Sequence, residues 1–314
     1  MKPFIVVADG FDQSLFEELK SITEFEVHPS PKMNQDELKT LLPKVNGIVI
    51  RSATEITKEY LDLAPNLKYV IRAGAGTDNI DKASCQEIGV KVSNTPGANN
   101  NSAAEHAIAL MMTVLRKTAW AHKTMSNGGW DKSKFTGMEL ANKKVGIVGF
   151  GQIGQIVAKR ISGFEPQVLF YDPFQESSEL PYAKKSDLET LFKECDIISI
   201  HTPLMEATKG LINKDLMSLM KSDAILINAA RGGIVNEQDL IEVLKEGKIR
   251  GAGFDVFATE PLEEDSPLRS LENLVMTPHL GASTEEAQFR VGEMAVHQLK
   301  EFFINDNLLN EVRV

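Results

Sequence analysis

The sequence predicts an α/β protein that contains two doubly wound parallel sheets, and three observations support this. Short runs of β-branched residues alternate with amphipathic helical stretches along the whole chain, which is the pattern of βαβ units. A glycine-rich turn joins one such strand to the helix that follows it. The 314 residues are 42% hydrophobic and 25% charged, which is enough apolar material for two cores.

The first third of the chain predicts a small flavodoxin-like α/β domain. Helices are predicted over 14–20, 35–42 and 58–63, and strands over 4–8, 24–28, 47–50, 68–71 and 90–94. A turn rich in Pro, Gly and Asn follows at 95–101. Ser102 is predicted to cap the next helix, because Glu105 completes a capping box. That helix is predicted to be long, over 103–125.

The remainder predicts a second, larger parallel sheet. Its strands are predicted over 144–148, 167–171, 197–201, 224–229, 251–256 and 274–277. The last segment, 284–303, is amphipathic and no strand follows it. It must therefore pack on a unit that is already formed, and we expect it to return to the first domain.

A G-x-G-x-x-G motif lies between strand 144–148 and the next helix, and it consists of Gly149, Gly151 and Gly154. The first glycine permits a tight turn, the second lets the backbone approach a pyrophosphate, and the third allows close packing of helix and strand. Gln152 and Ile153 open the helix, whose N-terminus favours phosphate groups. In this context the motif predicts a Rossmann-type dinucleotide-binding domain; three glycines that merely end a strand are the plainer alternative.

The identity of the dinucleotide is indicated by Asp172, which follows the next strand 18 residues after Gly154. A carboxylate at about this distance binds the ribose 2′-hydroxyl and repels a 2′-phosphate. NAD is therefore favoured over NADP. FAD enzymes use a similar motif, but they usually place it near the start of the chain.

Three candidate catalytic residues follow three different strands of the second sheet. They are Arg231, Glu260 and His279. The carboxyl ends of parallel strands meet at one edge, so these side chains are expected to converge beside the glycine loop. Thr202 and Pro203 follow another strand, and they are small enough to lie along a dinucleotide.

These three residue types suit the oxidation of a secondary alcohol. The imidazole of His279 exchanges protons near neutral pH, and Glu260 beside it would stabilise the imidazolium form. Arg231 has the planar fork that grips a substrate carboxylate. Each residue taken alone has a structural explanation, such as a surface ion pair, but their expected convergence favours a redox site.

The first domain also has cations after its strands. Arg51 and Arg72 follow neighbouring predicted strands, which indicates a substrate with a second anionic group such as a phosphate. Surface arginines in ion pairs are the alternative.

The other histidines, which have no motif around them, are predicted to be non-catalytic: His28, His106, His122, His201 and His297.

Composition argues against several other classes of protein. The 34 Lys and Arg against 44 Asp and Glu give a net charge of −10, which disfavours nucleic acid and anionic membrane partners. Cys85 and Cys195 are too few and too far apart for a disulfide framework or a metal cluster, so no metal site is predicted. No signal peptide or membrane-length apolar run is present, and a cytoplasmic location is expected.

With these residues in hand, the sequence resembles the D-isomer-specific 2-hydroxyacid dehydrogenases, and within them the phosphoglycerate dehydrogenase branch. The resemblance covers nearly the whole chain. The runs that carry it are 50–54 (IRSAT), 72–81 (RAGAGTDNID), 94–96 (NTP), 102–105 (SAAE), 228–233 (NAARGG), 254–257 (FDVF), 260–261 (EP) and 278–284 (PHLGAST). The first two runs point to the phosphoglycerate branch, and the later ones mark the superfamily.

This resemblance implies roles for individual residues. Arg231, Glu260 and His279 match the catalytic Arg, Glu and His, and substrate contacts are expected from Arg51, Arg72, Gly74 and Arg231. Cofactor contacts are expected beside the glycine loop from Ala75, Gln152, Ile153, Asp172, Thr202, Pro203, Ala229, Asp255 and Gly281. Ala75 departs from the family pattern, because relatives often carry Thr there.

The resemblance also implies an organisation and an activity. Residues 1–99 and 285–314 would form a discontinuous substrate-binding domain, 100–284 would bind NAD, and the protein would be a homodimer. The expected reaction is the NAD-dependent oxidation of D-3-phosphoglycerate, the first step of serine biosynthesis, by a short form without a regulatory serine-binding domain. A glyoxylate or hydroxypyruvate reductase, or another D-2-hydroxyacid dehydrogenase, is the nearest alternative. An NAD-sensing corepressor, which would bind NAD without turnover, is the alternative of another class.

Overall fold

The computed structural model describes residues 1–313, which form two compact units. One consists of Met1–Asn99 and the chain from Ala282 onward, and the other of Asn100–Gly281. Turn composition predicts these boundaries at 99/100 and 284/285. Both units contain one parallel β-sheet, so the predicted α/β class with two doubly wound sheets is confirmed.

The first unit has a five-stranded sheet in the order β2-β1-β3-β4-β5, which is the flavodoxin-like order. Its strands are β1 (Phe4–Val7), β2 (Glu26–Val27), β3 (Gly47–Ile50), β4 (Tyr69–Arg72) and β5 (Lys91–Asn94). Its helices are α1 (Gln13–Ser21), α2 (Gln35–Leu41), α3 (Lys58–Asp62), α4 (Lys82–Glu87) and α11 (Glu285–Ile304). The last helix buries Val291, Ala295 and Leu299 in the same core as Phe16 and Leu19 of α1, so the expected return to this unit is observed.

The second unit has a seven-stranded sheet in the order β12-β11-β10-β9-β6-β7-β8. Its strands are β6 (Lys144–Val148), β7 (Gln167–Tyr171), β8 (Ala183–Lys185), β9 (Ile197–Ile200), β10 (Ile225–Asn228), β11 (Gly251–Phe254) and β12 (Leu274–Met276). Its helices are α5 (Asn100–Arg116), α6 (Thr118–Ser126), α7 (Gln152–Ile161), α8 (Leu188–Glu194), α9 (Lys214–Met217) and α10 (Glu237–Lys245). The strand order reverses between β6 and β9, and ligands of such sheets bind at this switch point.

The prediction for residues 102–125 is wrong in two respects. The helix α5 already begins at Asn100, and Ser102 is buried inside it rather than capping it. The helix also ends at Arg116, because Lys117 adopts a left-handed backbone conformation with φ +54° before α6 starts. Packing explains the break: α5 buries Leu110, Met111 and six other residues, whereas α6 buries none. Tertiary contacts therefore override the local capping pattern.

Within the described part of the chain, no helix combines the length and the apolar composition that crossing a bilayer requires.

Candidate active site

The candidate residues of the second unit lie at one edge of its sheet. All neighbouring strands in that sheet are parallel, so the loops that follow β6, β9, β10, β11 and β12 leave the sheet at the same end. These loops contain the glycine motif and most of the candidate residues, namely Thr202, Pro203, Ala229, Arg231, Asp255 and His279. The residues predicted from the sequence thus lie along the sheet edge that also carries the switch point between β6 and β9.

The glycine loop has the geometry that a pyrophosphate requires. Gly149 has φ +90°, and a Cβ on it would lie 2.7 Å from the backbone of His201 and Thr202. A Cβ on Gly154 would overlap the carbonyl of Gly149, whereas one on Gly151 would meet nothing within 4 Å. Helix α7 starts at Gln152 without a side-chain cap. The open face of Gly151 and the helix N-terminus fit a dinucleotide phosphate.

Asp172 fixes the turn after β7 to the glycine loop. Its side chain accepts hydrogen bonds from the backbone N–H groups of Phe150 and Phe174, both at 2.8 Å, and of Gln175 at 3.2 Å. The residue is 9% exposed. Its carboxylate therefore holds the glycine loop and the turn after β7 together. Gln152 is engaged as well, because its Oε1 accepts from Nδ2 of Asn100 at 2.5 Å.

His279 and Glu260 form a hydrogen-bonded pair at this edge of the sheet. Nδ1 of His279 lies 2.6 Å from Oε2 of Glu260, and Oε1 of Glu260 accepts from the backbone N–H of Phe257 at 2.9 Å. Burial alone would raise the pKa of Glu260, but the hydrogen bonds from His279 and Phe257 outweigh it and lower that pKa. The carboxylate is thus ionised at neutral pH, and it orients the imidazole so that Nε2 is the ring nitrogen that remains for a ligand.

Arg231 is carried by a loop that Asn228 organises. The Nδ2 of Asn228 donates to the carbonyl of Arg231 at 3.0 Å, and its Oδ1 accepts from the N–H of Ala230 at 3.1 Å. A Cβ on Gly232 would overlap the carbonyl of Phe257, so the Arg231 loop lies directly against the loop that holds Glu260. The structure therefore brings Arg231, Glu260 and His279 to adjoining loops.

Asp255 lies beneath the His279 segment and is fully buried. Its carboxylate accepts from the N–H groups of Leu280 at 2.7 Å and Gly281 at 2.8 Å, from the hydroxyl of Thr277, and from Nε2 of His106 at 3.1 Å. Burial opposes ionisation, yet these hydrogen bonds lower the pKa of Asp255. Sequence reasoning missed His106 and Thr277 as partners of Asp255. They lie 149 and 22 positions from it along the chain, respectively, and no local motif links them to it.

The candidate residues of the first unit share one edge of the five-stranded sheet. Arg72 ends β4 opposite Ile50 of β3, and Arg51 follows directly after that strand. A Cβ on Gly74 would overlap Nη1 of Arg72, so a larger residue there would displace the guanidinium from this position. Ala75 is held next to them, since its carbonyl accepts from Nδ2 of Asn94 at 2.6 Å.

The loop that carries Arg51 depends on two residues that sequence reasoning missed. The carboxylate of Asp9 accepts from the backbone N–H groups of Arg51 at 2.6 Å and Thr54 at 3.0 Å. Nδ2 of Asn79 donates to the carbonyls of the same two residues at 2.6 Å each. Asp9 follows β1 at the carboxyl edge of the sheet, and this position after a strand is the sequence feature that could have indicated it.

Burial of His201 makes the stability of the protein dependent on pH. Its Nε2 lies 2.8 Å from Oγ of Ser199, and burial lowers the pKa of His201 to about 4. The unfolded chain accepts a proton below about pH 6.5, where the folded form resists it. The free energy of unfolding is therefore expected to fall by about 2 kcal/mol between pH 6.5 and 4, beyond the loss shown by His201→Gln.

Urea unfolding at several pH values measures this difference. His297→Gln is the matched control, because His297 is exposed and its replacement should leave the pH dependence as it is. Parallel curves for the wild type and His201→Gln would contradict the assignment.

Comparison with known proteins agrees with this geometry. Residues 108–281 match the family model for the NAD binding domain of D-isomer specific 2-hydroxyacid dehydrogenases. A hydroxypyruvate reductase of Thermotoga maritima is 43% identical over 295 residues, which cover 93% of this chain and 96% of that protein. A D-3-phosphoglycerate dehydrogenase of Archaeoglobus fulgidus is 42% identical over 290 residues, which cover 92% of this chain and 55% of that protein. This chain thus spans little more than half of the latter's length.

A solved structure shows the same similarity in three dimensions. The NAD-dependent formate dehydrogenase of Staphylococcus aureus in complex with NAD has a TM-score of 0.86 and 31% sequence identity. The match covers 100% of this chain and 99% of that one.

The fold, the glycine loop and the residues at the strand ends define an NAD-dependent dehydrogenase. Within that class, this chain belongs to the D-isomer specific 2-hydroxyacid dehydrogenase family. The expected family and the expected cofactor are therefore confirmed.

Proposed function

We propose that the protein oxidises D-3-phosphoglycerate to 3-phosphohydroxypyruvate, the first step of serine biosynthesis, with His279 as the acid/base. The contact that carries this proposal is the 2.6 Å hydrogen bond between Nδ1 of His279 and Glu260, at the sheet edge where the glycine loop emerges. His279 Nε2 takes the proton of the C2 hydroxyl, and the carboxylate of Glu260 stabilises the imidazolium that results. Bound NAD supplies the acceptor for the hydride that leaves C2.

Arg231 is proposed to hold the substrate's carboxylate. Its guanidinium presents several N–H donors in a plane, which match the two oxygens of a carboxylate. The Asn228 contacts and the close approach of Gly232 to Phe257 keep this loop beside Glu260. Arg231 can thereby place C2 next to the imidazole, and proximity of this kind is a main source of rate acceleration.

Arg51 is the residue proposed to bind the phosphate of the substrate, together with Arg72. Burial lowers the pKa of Arg51, although the charge of Asp9 opposes this, and arginine stays protonated in either case. Among residues 1–313, the guanidinium of Arg51 has no hydrogen-bond partner. A half-buried cation in this state favours an anionic ligand.

Reduction of hydroxypyruvate is the second candidate function. It is favoured by the Thermotoga maritima relative, which matches this chain over 96% of its own length and is named a hydroxypyruvate reductase. That substrate lacks a phosphate, so Arg51 would contribute little to binding it. An NAD-sensing corepressor would bind the cofactor and turn over no substrate.

A substrate panel separates these functions. Purified protein with NAD is offered D-3-phosphoglycerate, D-glycerate, D-lactate and 2-hydroxyglutarate, and with NADH it is offered 3-phosphohydroxypyruvate, hydroxypyruvate and glyoxylate. Absorbance of NADH reports turnover. The proposal requires the highest kcat/KM for the phosphorylated pair; preference for hydroxypyruvate supports the second candidate, and NAD binding without any turnover supports the corepressor.

Arg51→Gln is expected to lower kcat/KM for D-3-phosphoglycerate about 100-fold and that for D-glycerate less than about threefold, because only the former has a phosphate to bind. Initial rates on the two substrates measure this. Arg313→Gln is the control, since Arg313 is an exposed cation of the same unit paired with Glu311. Equal losses on both substrates would contradict a phosphate contact by Arg51.

We also propose that a second copy of the chain covers the region around α6. This helix has no buried residue. Met125 within it is 51% exposed, and Trp130, which follows it, is 84% exposed. Apolar surface of this kind marks an association site in a soluble protein. Trp130→Ser is expected to shift the mass measured by light scattering from dimer towards monomer, whereas Phe174→Ser, at an equally exposed aromatic, should not. A monomeric wild type would refute the proposal.

A further inference from the structure

A second histidine–carboxylate pair lies beneath the segment that carries His279. The imidazole of His106, on α5, places Nε2 at 3.1 Å from Oδ1 of Asp255 and at 2.9 Å from Oγ1 of Thr277. The side chain of Asp255 is 1% exposed and that of His106 is 19% exposed. This pair is separate from His279 and Glu260, and neither His106 nor Thr277 has a role in the proton transfer described above.

The hydrogen-bond inventory determines which atom donates. Thr277 has a single hydroxyl proton, which it gives to Oδ1 of Asp255 at 2.5 Å. The nearby oxygens of Thr277 and Asp255 can then only accept from the imidazole. Nε2 of His106 must therefore carry a hydrogen, and it supplies one of the four donors on this buried carboxylate.

The contacts of Asp255 hold the backbone around His279. Leu280 and Gly281, the two residues after His279, donate their N–H groups to the carboxylate, and the N–H of His279 donates to the Asp255 carbonyl at 2.9 Å. His279 itself has φ +54°, a left-handed conformation that non-glycine residues rarely adopt. Such a conformation persists only when surrounding contacts enforce it.

The charge of Asp255 also reaches the catalytic pair. It is one of the groups that raise the pKa of Glu260, in opposition to His279. A change in the donors around Asp255 is thus felt at Glu260, through both charge and the position of the segment that joins them.

We infer that His106 is a positioning residue for the acid/base step: its Nε2–H fixes Asp255 and Thr277, and these fix the 277–281 segment so that His279 meets Glu260. This inference rests on the proposed role of His279. It assigns a function to α5, which begins 49 residues before Gly149 and otherwise provides core contacts.

Substitution of His106 distinguishes positioning from simple structural support. His106→Asn is too short to reach Asp255, whereas His106→Gln places an N–H donor near the position of Nε2. We expect His106→Asn to lower kcat about 100-fold, since displacement of an acid/base group by about 1 Å has such an effect. His106→Gln is expected to restore most of the rate.

The pH profile gives the second readout. A loosened contact with Glu260 stabilises the imidazolium less, so His106→Asn should move the low-pH limb of kcat/KM towards lower pH. Titration of the His279 ring by NMR, without substrate or NAD, should move in the same direction. His297→Leu is the control, because His297 is an exposed histidine of α11, outside the unit that carries His279.

The outcomes separate this inference from the function on which it rests. Turnover that survives in His279→Ala refutes the proposed function. If His279→Ala is inactive while His106→Asn keeps the wild-type kcat, pH limb and His279 titration, only the inference fails. It also fails if His106→Gln is as impaired as His106→Asn, because a donor at the Nε2 position would then be irrelevant. Thermal unfolding of each variant confirms that folded protein is compared.

Discussion

Turnover by His279→Ala is expected to fall by about 10²- to 10⁴-fold, while NAD binding stays within about threefold of the wild type. The variant loses the group that takes the C2 proton, but the glycine loop and Asp172 do not depend on the imidazole. Absorbance of NADH measures kcat, and calorimetric titration measures the Kd of NAD. The separation of the two effects identifies His279 as a catalytic group rather than a structural one.

Glu260→Gln is the companion variant for this experiment. The amide keeps the size of the side chain but cannot stabilise an imidazolium by charge, so a smaller loss and a displaced pH profile are expected. A His279→Ala variant with near-wild-type turnover would require another base and would overturn the assignment.

Arg231→Lys is expected to lower kcat/KM about 10²- to 10³-fold on every 2-hydroxyacid substrate, with or without a phosphate. Lysine keeps the positive charge but loses the planar fork that binds both carboxylate oxygens. The loss therefore measures orientation rather than net charge, and it should be visible in KM and in kcat together. Steady-state rates on D-3-phosphoglycerate and D-glycerate are the measurement.

Arg269→Lys provides the control for Arg231. Arg269 is an exposed arginine of the same unit, and its guanidinium donates to the carbonyls of Glu263 and Leu262 close to the Glu260 loop. Its replacement should leave kcat/KM within about threefold of the wild type. An Arg231→Lys variant that behaves like this control would show that Arg231 does not bind the substrate's carboxylate.

Much of the fold could be predicted because it depends on hydrophobic patterns among residues that are close together along the chain. Buried parallel strands such as Gly47–Ile50 and Ile225–Asn228 are continuous apolar runs, which stand out between amphipathic helices. The strand β8 was missed for the opposite reason. Ala183–Lys185 has three residues, two of them exposed lysines, so it is identified as a strand only by its pairing with β7.

The same distinction applies to the candidate site. Gly149, Gly151 and Gly154 occupy fixed spacings, and Arg231, Glu260 and His279 each follow a recognisable strand, so their chemistry could be predicted. The residues that hold them could not. Asn228 was visible only as part of a motif, and nothing in the sequence indicates that its amide supports the loop of Arg231.

The sequence by itself determined the α/β class, the dinucleotide loop and the family, because each depends on residues close together along the chain. Only the tertiary structure decided that His106 meets Asp255, that Asp9 holds the Arg51 loop, and that the helix after Asn100 breaks at Lys117. The physical reason is that periodicity records which face of an element is buried, whereas hydrogen bonds between distant elements depend on the order in which the strands assemble.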